Sequence, residues 1–195
     1  MLTNAKRTEM LYSLLSYLLT DDIAAEFGFS TDPNQRIILA YTNQTPRPET
    51  KTVLYFSFKD EAYKQARSDP YHYDTNNVQV LEQMRQITLT IDIYSKVVPI
   101  GAANDVARWL NSALISDMFD DWKQIKKYPI VIENIEPVID LSYLLEGNVW
   151  NNRAQLVVKL NYRDAVKMAK VYMTRIPDSL EDTPNSVDAK TVLKN

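Results

Sequence analysis

The stretch Gln86-Ile87-Thr88-Leu89-Thr90-Ile91-Asp92-Ile93-Tyr94 alternates apolar and polar residues throughout. Ile87, Leu89, Ile91 and Ile93 point one way, and Gln86, Thr88, Thr90 and Asp92 the other. Period-two alternation of this kind defines a half-buried strand with one wet face, which is more typical of antiparallel than of parallel sheet. The same signature recurs on both sides. In Ala154 to Tyr162, the residues Ala154, Leu156, Val158, Leu160 and Tyr162 face inward. In Lys51 to Lys59, Leu54, Phe56 and Phe58 share one face, and Val53, Tyr55 and Ser57 the other. Shorter apolar runs at Ile37 to Tyr41, Ile130 to Ile132 and Val138 to Leu141 read as further strands, the last an edge strand or strand start because it follows Pro137. A weaker strand is expected over Val166 to Arg175. Residues 60–79 read as a long hairpin connection, with a short helix over Glu61 to Arg67.

Two segments carry the helical period instead. Met10, Leu11, Leu14, Leu15, Leu18 and Leu19 form one apolar stripe, with Thr3 or Asn4 as N-cap and Gly28 as the left-handed residue that stops the helix. This run follows Lys6 and Arg7, yet Glu9, Asp21 and Asp22 flank it. It is also far shorter than the ~20 apolar residues of a membrane span, so it is read as a core helix and not a targeting segment. Gly101 opens the second helix, whose stripe is Val106, Trp109, Leu110, Ala113, Leu114 and Met118. Phe119 and Trp122 are expected to extend it until Tyr128-Pro129 ends it. The fold class is therefore α+β: a mixed, mainly antiparallel sheet with two main amphipathic helices packed on it. The domain covers residues 1–175, and residues 176–195, which lack aromatics, read as an extended C-terminal arm.

Composition removes several kinds of function. The 195 residues hold 22 basic and 25 acidic side chains, a net charge of -3, so no basic excess exists to neutralise a run of phosphates. With no cysteine, thiolate nucleophiles and zinc–cysteine sites are excluded, and one histidine leaves little for a His-based metal cluster. Three glycines, Gly28, Gly101 and Gly147, all at element boundaries, cannot make a phosphate-cradling loop. No cofactor is expected.

The remaining chemistry-bearing groups have ordinary readings beside the functional ones. Asp117, Asp120 and Asp121 sit at helical spacing and have the oxygen ligands a hard cation prefers, but a solvated face near a helix C-terminus accounts for them as well. Glu133 and Glu136 lack the pocket that drives a carboxylate pair apart in pKa. His72 lies in Asp69-Pro70-Tyr71-His72-Tyr73-Asp74, where Asp69 or Asp74 could assist it as a base, with no nucleophile-elbow sequence nearby. The 12 tyrosines are generous for this length, and Tyr41, Tyr55, Tyr63, Tyr71 and Tyr73 concentrate in the strand and hairpin region. Such side chains serve either a sheet core or a contact surface.

Two segments are more distinctive. One is Ala40-Tyr41-Thr42-Asn43-Gln44-Thr45-Pro46-Arg47-Pro48, a loop between strands. The other runs Val138-Ile139-Asp140-Leu141-Ser142, then Leu144 to Gly147, then Trp150-Asn151-Asn152-Arg153-Ala154 into a strand. In this order, with a strand, a helix and a strand between them, they resemble the neck or tail terminator proteins of tailed bacteriophages. In that family an Asn-Gln loop ending in proline precedes a strand, and a Trp-x-x-Arg-Ala step opens the last core strand. The resemblance spans about Ile37 to Tyr162, leaving out the C-terminal arm; the connection over residues 60–77 is longer than the family leads one to expect.

The resemblance implies a structural virion protein and no enzyme: a hexameric ring that caps the tail tube, stops its growth and joins it to the head connector. Implied partners are further copies of the chain, the tail tube protein and the connector proteins. DNA passes through the lumen without specific binding, and no membrane is involved. The protein would be made in the host cytoplasm and end in the tail or neck. Expected contact residues are Asn43, Gln44, Pro46, Arg47 and Pro48, with Tyr71, Tyr73, Trp150 and Arg153. Pro46 and Pro48 lower the ordering entropy of a contact loop, and Arg47 can grip a neighbour's carboxylate in bidentate fashion. Trp150 and Arg153 are residue types enriched at binding hot spots, although Trp150 also suits a core-capping role. Other ring components of the same particle (a tube or head-completion protein) are the nearest alternatives, and a small hydrolase using His72 is a more distant one.

Overall fold

Two long strands organise the molecule. The computed structural model describes residues 3–40, 51–62, 71–73, 79–95, 101–145 and 149–167. Within these, β4 (Gln79–Ser95) and β8 (Val149–Lys167) pair antiparallel from Val80↔Lys167 to Ser95↔Asn152. The alternating stretches are the second half of β4 (Gln86 to Tyr94) and the middle of β8 (Ala154 to Tyr162). The strand expected over Val166 to Arg175 is not separate, because Val166 and Lys167 still belong to β8. The rest of that stretch, and the arm at 176–195, lie outside the described residues.

The sheet order is β1-β2-β4-β8-β5, with β1 (Ile37–Leu39), β2 (Val53–Ala62) and β5 (Ile130–Ile135). β1 runs parallel to β2, and the other pairings between described strands are antiparallel, which makes the sheet mixed. β6 (Ile139–Asp140) and β7 (Tyr143–Leu145) follow β5 along the same side of β8. Glu61 and Ala62 are strand residues, not the start of a helix, and β3 (Tyr71–Tyr73) pairs with the first residues of β4. The connection over residues 60–79 thus begins and ends in strand; residues 63–70 and 74–78 lie outside the described residues.

All the principal helices lie against one face. In α1 (Asn4–Leu18) the Thr3 side chain caps the Lys6 amide, and Met10, Leu11, Leu14, Leu15 and Leu18 are buried. Each such side chain contributes roughly 1.5–3 kcal/mol of gross burial energy, which is what overrides the weak nucleation of an isolated helix. α1 ends at Leu18, so Gly28 (φ 68°) terminates instead a short second helix, α2 (Asp21–Glu26). Gly101, at φ 104°, opens α3 (Ala102–Ile115) and donates its amide to Asn152 Oδ1 at 3.0 Å. These helices and the strand residues Leu54, Phe56, Ile87, Leu89, Ile91, Ile93, Leu156, Val158 and Leu160 form a single core.

The second helix of the sequence reading is two helices. α3 stops at Ser116, and α4 (Asp117–Lys126) starts there. Ser116 is extended (φ -83°, ψ 175°); its hydroxyl donates to Ala113 O at 2.8 Å and accepts the Met118 amide. A serine side chain that competes for backbone partners in this way turns the chain where apolar periodicity alone would continue it. The turn sends Trp122 under α1, where it is wholly buried, donates to Ser13 Oγ at 3.3 Å and stacks on Tyr128 at 5.5 Å.

A buried polar knot ties α1 to the sheet. Asp60 continues the inward alternation of Leu54, Phe56 and Phe58, which places a carboxylate in the core face. It is held by Arg7 Nη1 at 2.7 Å, Arg85 Nη2 at 2.8 Å and the Tyr162 hydroxyl at 3.1 Å. A carboxylate removed from water is tolerated only with such paired and hydrogen-bonded partners.

Candidate interaction surface

Because strand side chains alternate, burying one face of the sheet against helices leaves the other to solvent. On that outer face stand Ser57, Thr88, Thr90, Val157, Lys159 and Asn161, all half-buried. No described helix covers them. The charges on this face pair among themselves. Lys159 meets Glu136 at 3.0 Å, Lys59 meets Glu61, and the Gln86 amide donates to Glu133. Glu133 is the extra residue at a bulge between Ile132 and Asn134, and the bulge is what turns it toward Gln86. Glu133 and Glu136 therefore have separate partners and do not form a carboxylate pair.

Arg153 occupies one end of the face. Its register partner is Tyr94, its Nη2 donates to Asp92 Oδ1 at 2.9 Å, and its guanidinium lies 5.2 Å from the Tyr94 ring centroid. Gln155 donates to the same Asp92 oxygen at 3.1 Å, and Tyr55 meets Tyr94 edge-on at 5.4 Å. Burial pushes both phenols above their ordinary pKa; for Tyr55 the neighbouring Tyr94 adds to the rise. The result is a planar cation on an aromatic platform, fixed by a carboxylate at the border of a wet surface. Residue types and geometry of this sort recur at binding hot spots.

Both ends of the long strands outrun their neighbours. Among the described residues β2 reaches β4 as far as Ala62↔Arg85 and β5 meets β8 from Ile130↔Tyr162, and beyond these points β3, β4 and β8 continue. Tyr73, 60% exposed, and the backbone of Tyr71 and His72 belong to this extension. At the opposite end β4 stops at Ser95, opposite Asn152, and Leu144↔Trp150 and Leu145↔Val149 form a two-stranded projection. Trp150 is thereby placed past the last β4 partner. The loop holding Asn43, Gln44, Pro46, Arg47 and Pro48 lies outside the described residues, as do Tyr41, Tyr63, Asp69, Asp74 and Gly147.

Asp117 and Asp120 stand in the first turn of α4, so they favour the helix dipole instead of opposing a C-terminus. Asp120 is engaged by Lys123 at 2.6 Å, and among the described residues no three His, Cys, Asp or Glu side chains are grouped to hold a metal ion. No described helix is long and apolar enough to cross a membrane. The sequence reading missed the knot at Asp60, although a charged residue at an inward strand position was its visible sign. It also missed an open groove of 780 Å³ where the α4–β5 turn meets the ends of β4 and β8.

The described residues thus form an α+β domain with helices on one side of the sheet and a charge-balanced sheet face on the other. A family model for the phage neck terminator protein matches residues 9–191. The chain belongs to that family and is a structural neck protein of a bacteriophage. The match is wider than the motifs at Ile37 to Tyr162: it takes in most of α1 and runs through most of the C-terminal segment. No curated protein matches the chain.

Proposed function

We propose that this neck protein assembles as a closed hexameric ring at the head-proximal end of the tail tube, where it stops tube growth and presents a surface to the head connector. Beyond family membership, one observation supports this reading: the outer sheet face, bare of described helices, is bounded at each end by strands that outrun the domain. A subunit in a ring has neighbours on two sides and partners above and below, and this domain has distinct surfaces to offer each. In this reading Arg153 and Trp150 contact one neighbour or ring partner, and Tyr71 and Tyr73 another. Asn43, Gln44, Pro46, Arg47 and Pro48 serve as a further contact, the two prolines reducing what its ordering costs.

A closed ring, unlike an open helical polymer, limits its own size by symmetry. The balanced charge suits a lumen through which DNA slides, since many phosphate contacts would retard it. Blocking expression of the gene in infected cells and imaging the lysate by negative stain tests the proposal. Detached tails, overgrown tubes or tailless heads are the expected result. Intact particles with tails of normal length would sink it.

A further inference from the structure

One row of paired residues crosses the whole sheet. Ile38 pairs with Tyr55, Tyr55 with Asp92, Asp92 with Gln155, and Gln155 with Ile139. Two isoleucines therefore end the same row on opposite edges. At the first edge β1 is the last described strand, and α1 lies beside it along an open groove of 560 Å³ lined by Tyr12, Ile37, Leu39 and Phe56. At the other, the β5–β6 margin bares Val131 and Ile139, 60% and 44% exposed. An apolar groove and protruding apolar side chains are thus carried on opposite sides of one chain.

Charge is divided in the same way. Glu9 lines the groove at the β1 edge, and Lys127 stands in the left-handed turn (φ 56°) that leads to β5. Neither has an ion-pair partner among the described residues. The acids of the margin are engaged on the outer face, Glu133 by Gln86 and Glu136 by Lys159. Glu9 and Lys127 also stand toward the same end of the sheet. Glu9 follows Arg7, which reaches Asp60 in the row Asp60–Ile87–Leu160–Ile132, and Lys127 precedes Ile130, which pairs with Tyr162. Contact between like edges would set acid against acid or base against base, whereas contact between opposite edges sets acid against base.

We propose that the β1–α1 edge of one subunit packs on the β5–β6 margin of the next copy, an inference that rests on the ring reading. A ring requires a contact of this kind, made by two different surfaces and closed by rotation. Rotation about an axis running with the strands keeps every row at its own height. It therefore brings Ile139 to Ile38 of the next copy, and Lys127 toward its Glu9, in one movement.

The absence of native cysteine makes a clean test. Particles are grown on cells supplying I38C chains, I139C chains or an equal mixture, then oxidised and resolved on non-reducing gels. Covalent dimers are expected from the mixture and from neither variant alone. Because the two thiols sit on separate chains, no link within one copy can imitate this result. The exposed pair E9C and K127C, mixed in the same way and joined by a flexible bismaleimide, gives the second reading should I38C chains fail to enter particles. Dimers formed by one variant alone mean that like edges meet and overturn the proposal. Chains present in particles but unlinked in both mixtures overturn it too. Wild-type particles lacking the chain would overturn the ring reading instead.

Discussion

Arg7, in the first helix, reaches across the core to Asp60, on the second strand, at 2.7 Å, with the two side chains 9% and 6% exposed. The contact fixes helix to sheet at the point where the sheet begins to narrow. It is also vulnerable, because one carboxylate serves two guanidinium groups and a phenol.

Asp60→Ala should therefore be severe. Removing the shared anion takes from the buried Arg7 its 2.7 Å ion pair, and breaking a buried pair in this way costs about 3–5 kcal/mol. Urea unfolding of the purified chain measures it. A loss below about 1 kcal/mol would show that water reaches the site and that the knot is unimportant to stability.

Trp122 and Ser13 separate packing from hydrogen bonding. Trp122→Ala opens a cavity under α1 and should cost about 3–5 kcal/mol. Ser13→Ala removes only the partner of the indole N–H and should cost about 1–2 kcal/mol. Equal losses in the two variants would contradict the geometry at Trp122.

Stability should fall in alkali. Burial, first of all, holds the phenols of Tyr55, Tyr94 and Tyr162 above their ordinary 10.0; Tyr162 is raised further by the charge of Asp60. Since the folded values exceed the unfolded ones, their contribution is intact below pH 10.0 and is lost as pH rises from there through the folded values. Urea midpoints taken on both sides of pH 10.0 should show the decline, and Tyr162→Phe should reduce it. A flat profile would mean that the three phenols ionise as freely in the fold as outside it.

Arg153→Ala should divide stability from assembly. Its pair with Asp92 is part-exposed, so the isolated chain should lose no more than about 1 kcal/mol. If Arg153 is a contact of the ring, particle yield should fall much further, in keeping with hot-spot losses of about 2 kcal/mol or more per contact. Arg153→Lys, which keeps the charge but not the planar platform contact, should not rescue it. Unchanged yield of joined particles in both variants would remove Arg153 from the interface.

The sequence made the long-range plan readable where one period ran undisturbed. Ile87 to Ile93 and Ala154 to Tyr162 announced the two central strands, Val106 to Leu114 the helix packed on them, and Met10 to Leu19 the helix beside β1. It was less informative where a local competitor won. Ser116 interrupts a continuous apolar stripe because its hydroxyl takes backbone partners, and apolar periodicity does not register that. β3, β6 and β7 are too short to show any period and exist because β4 or β8 offers them an edge. Asp60 was visible as a charge on the wrong side of a strand, but its partners come from Arg7, Arg85 and Tyr162, which no local pattern joins. The contact residues were legible only as types: Arg153 now has a defined setting, whereas Asn43 to Pro48 stand outside the described residues.

The β4–β8 ladder also has a mechanical meaning. Its antiparallel rungs run from Val80↔Lys167 to Ser95↔Asn152, roughly 50 Å of paired backbone along the strand direction. A pull at opposite ends of these two strands loads the ladder in shear, so all of its cross-strand hydrogen bonds share the force and must yield together. The neighbouring β6 and β7 are only two and three residues long, and a pull across them peels one bond after another. Under tension the domain would give way at that margin first, while the two long strands behave as a tie-rod between its ends.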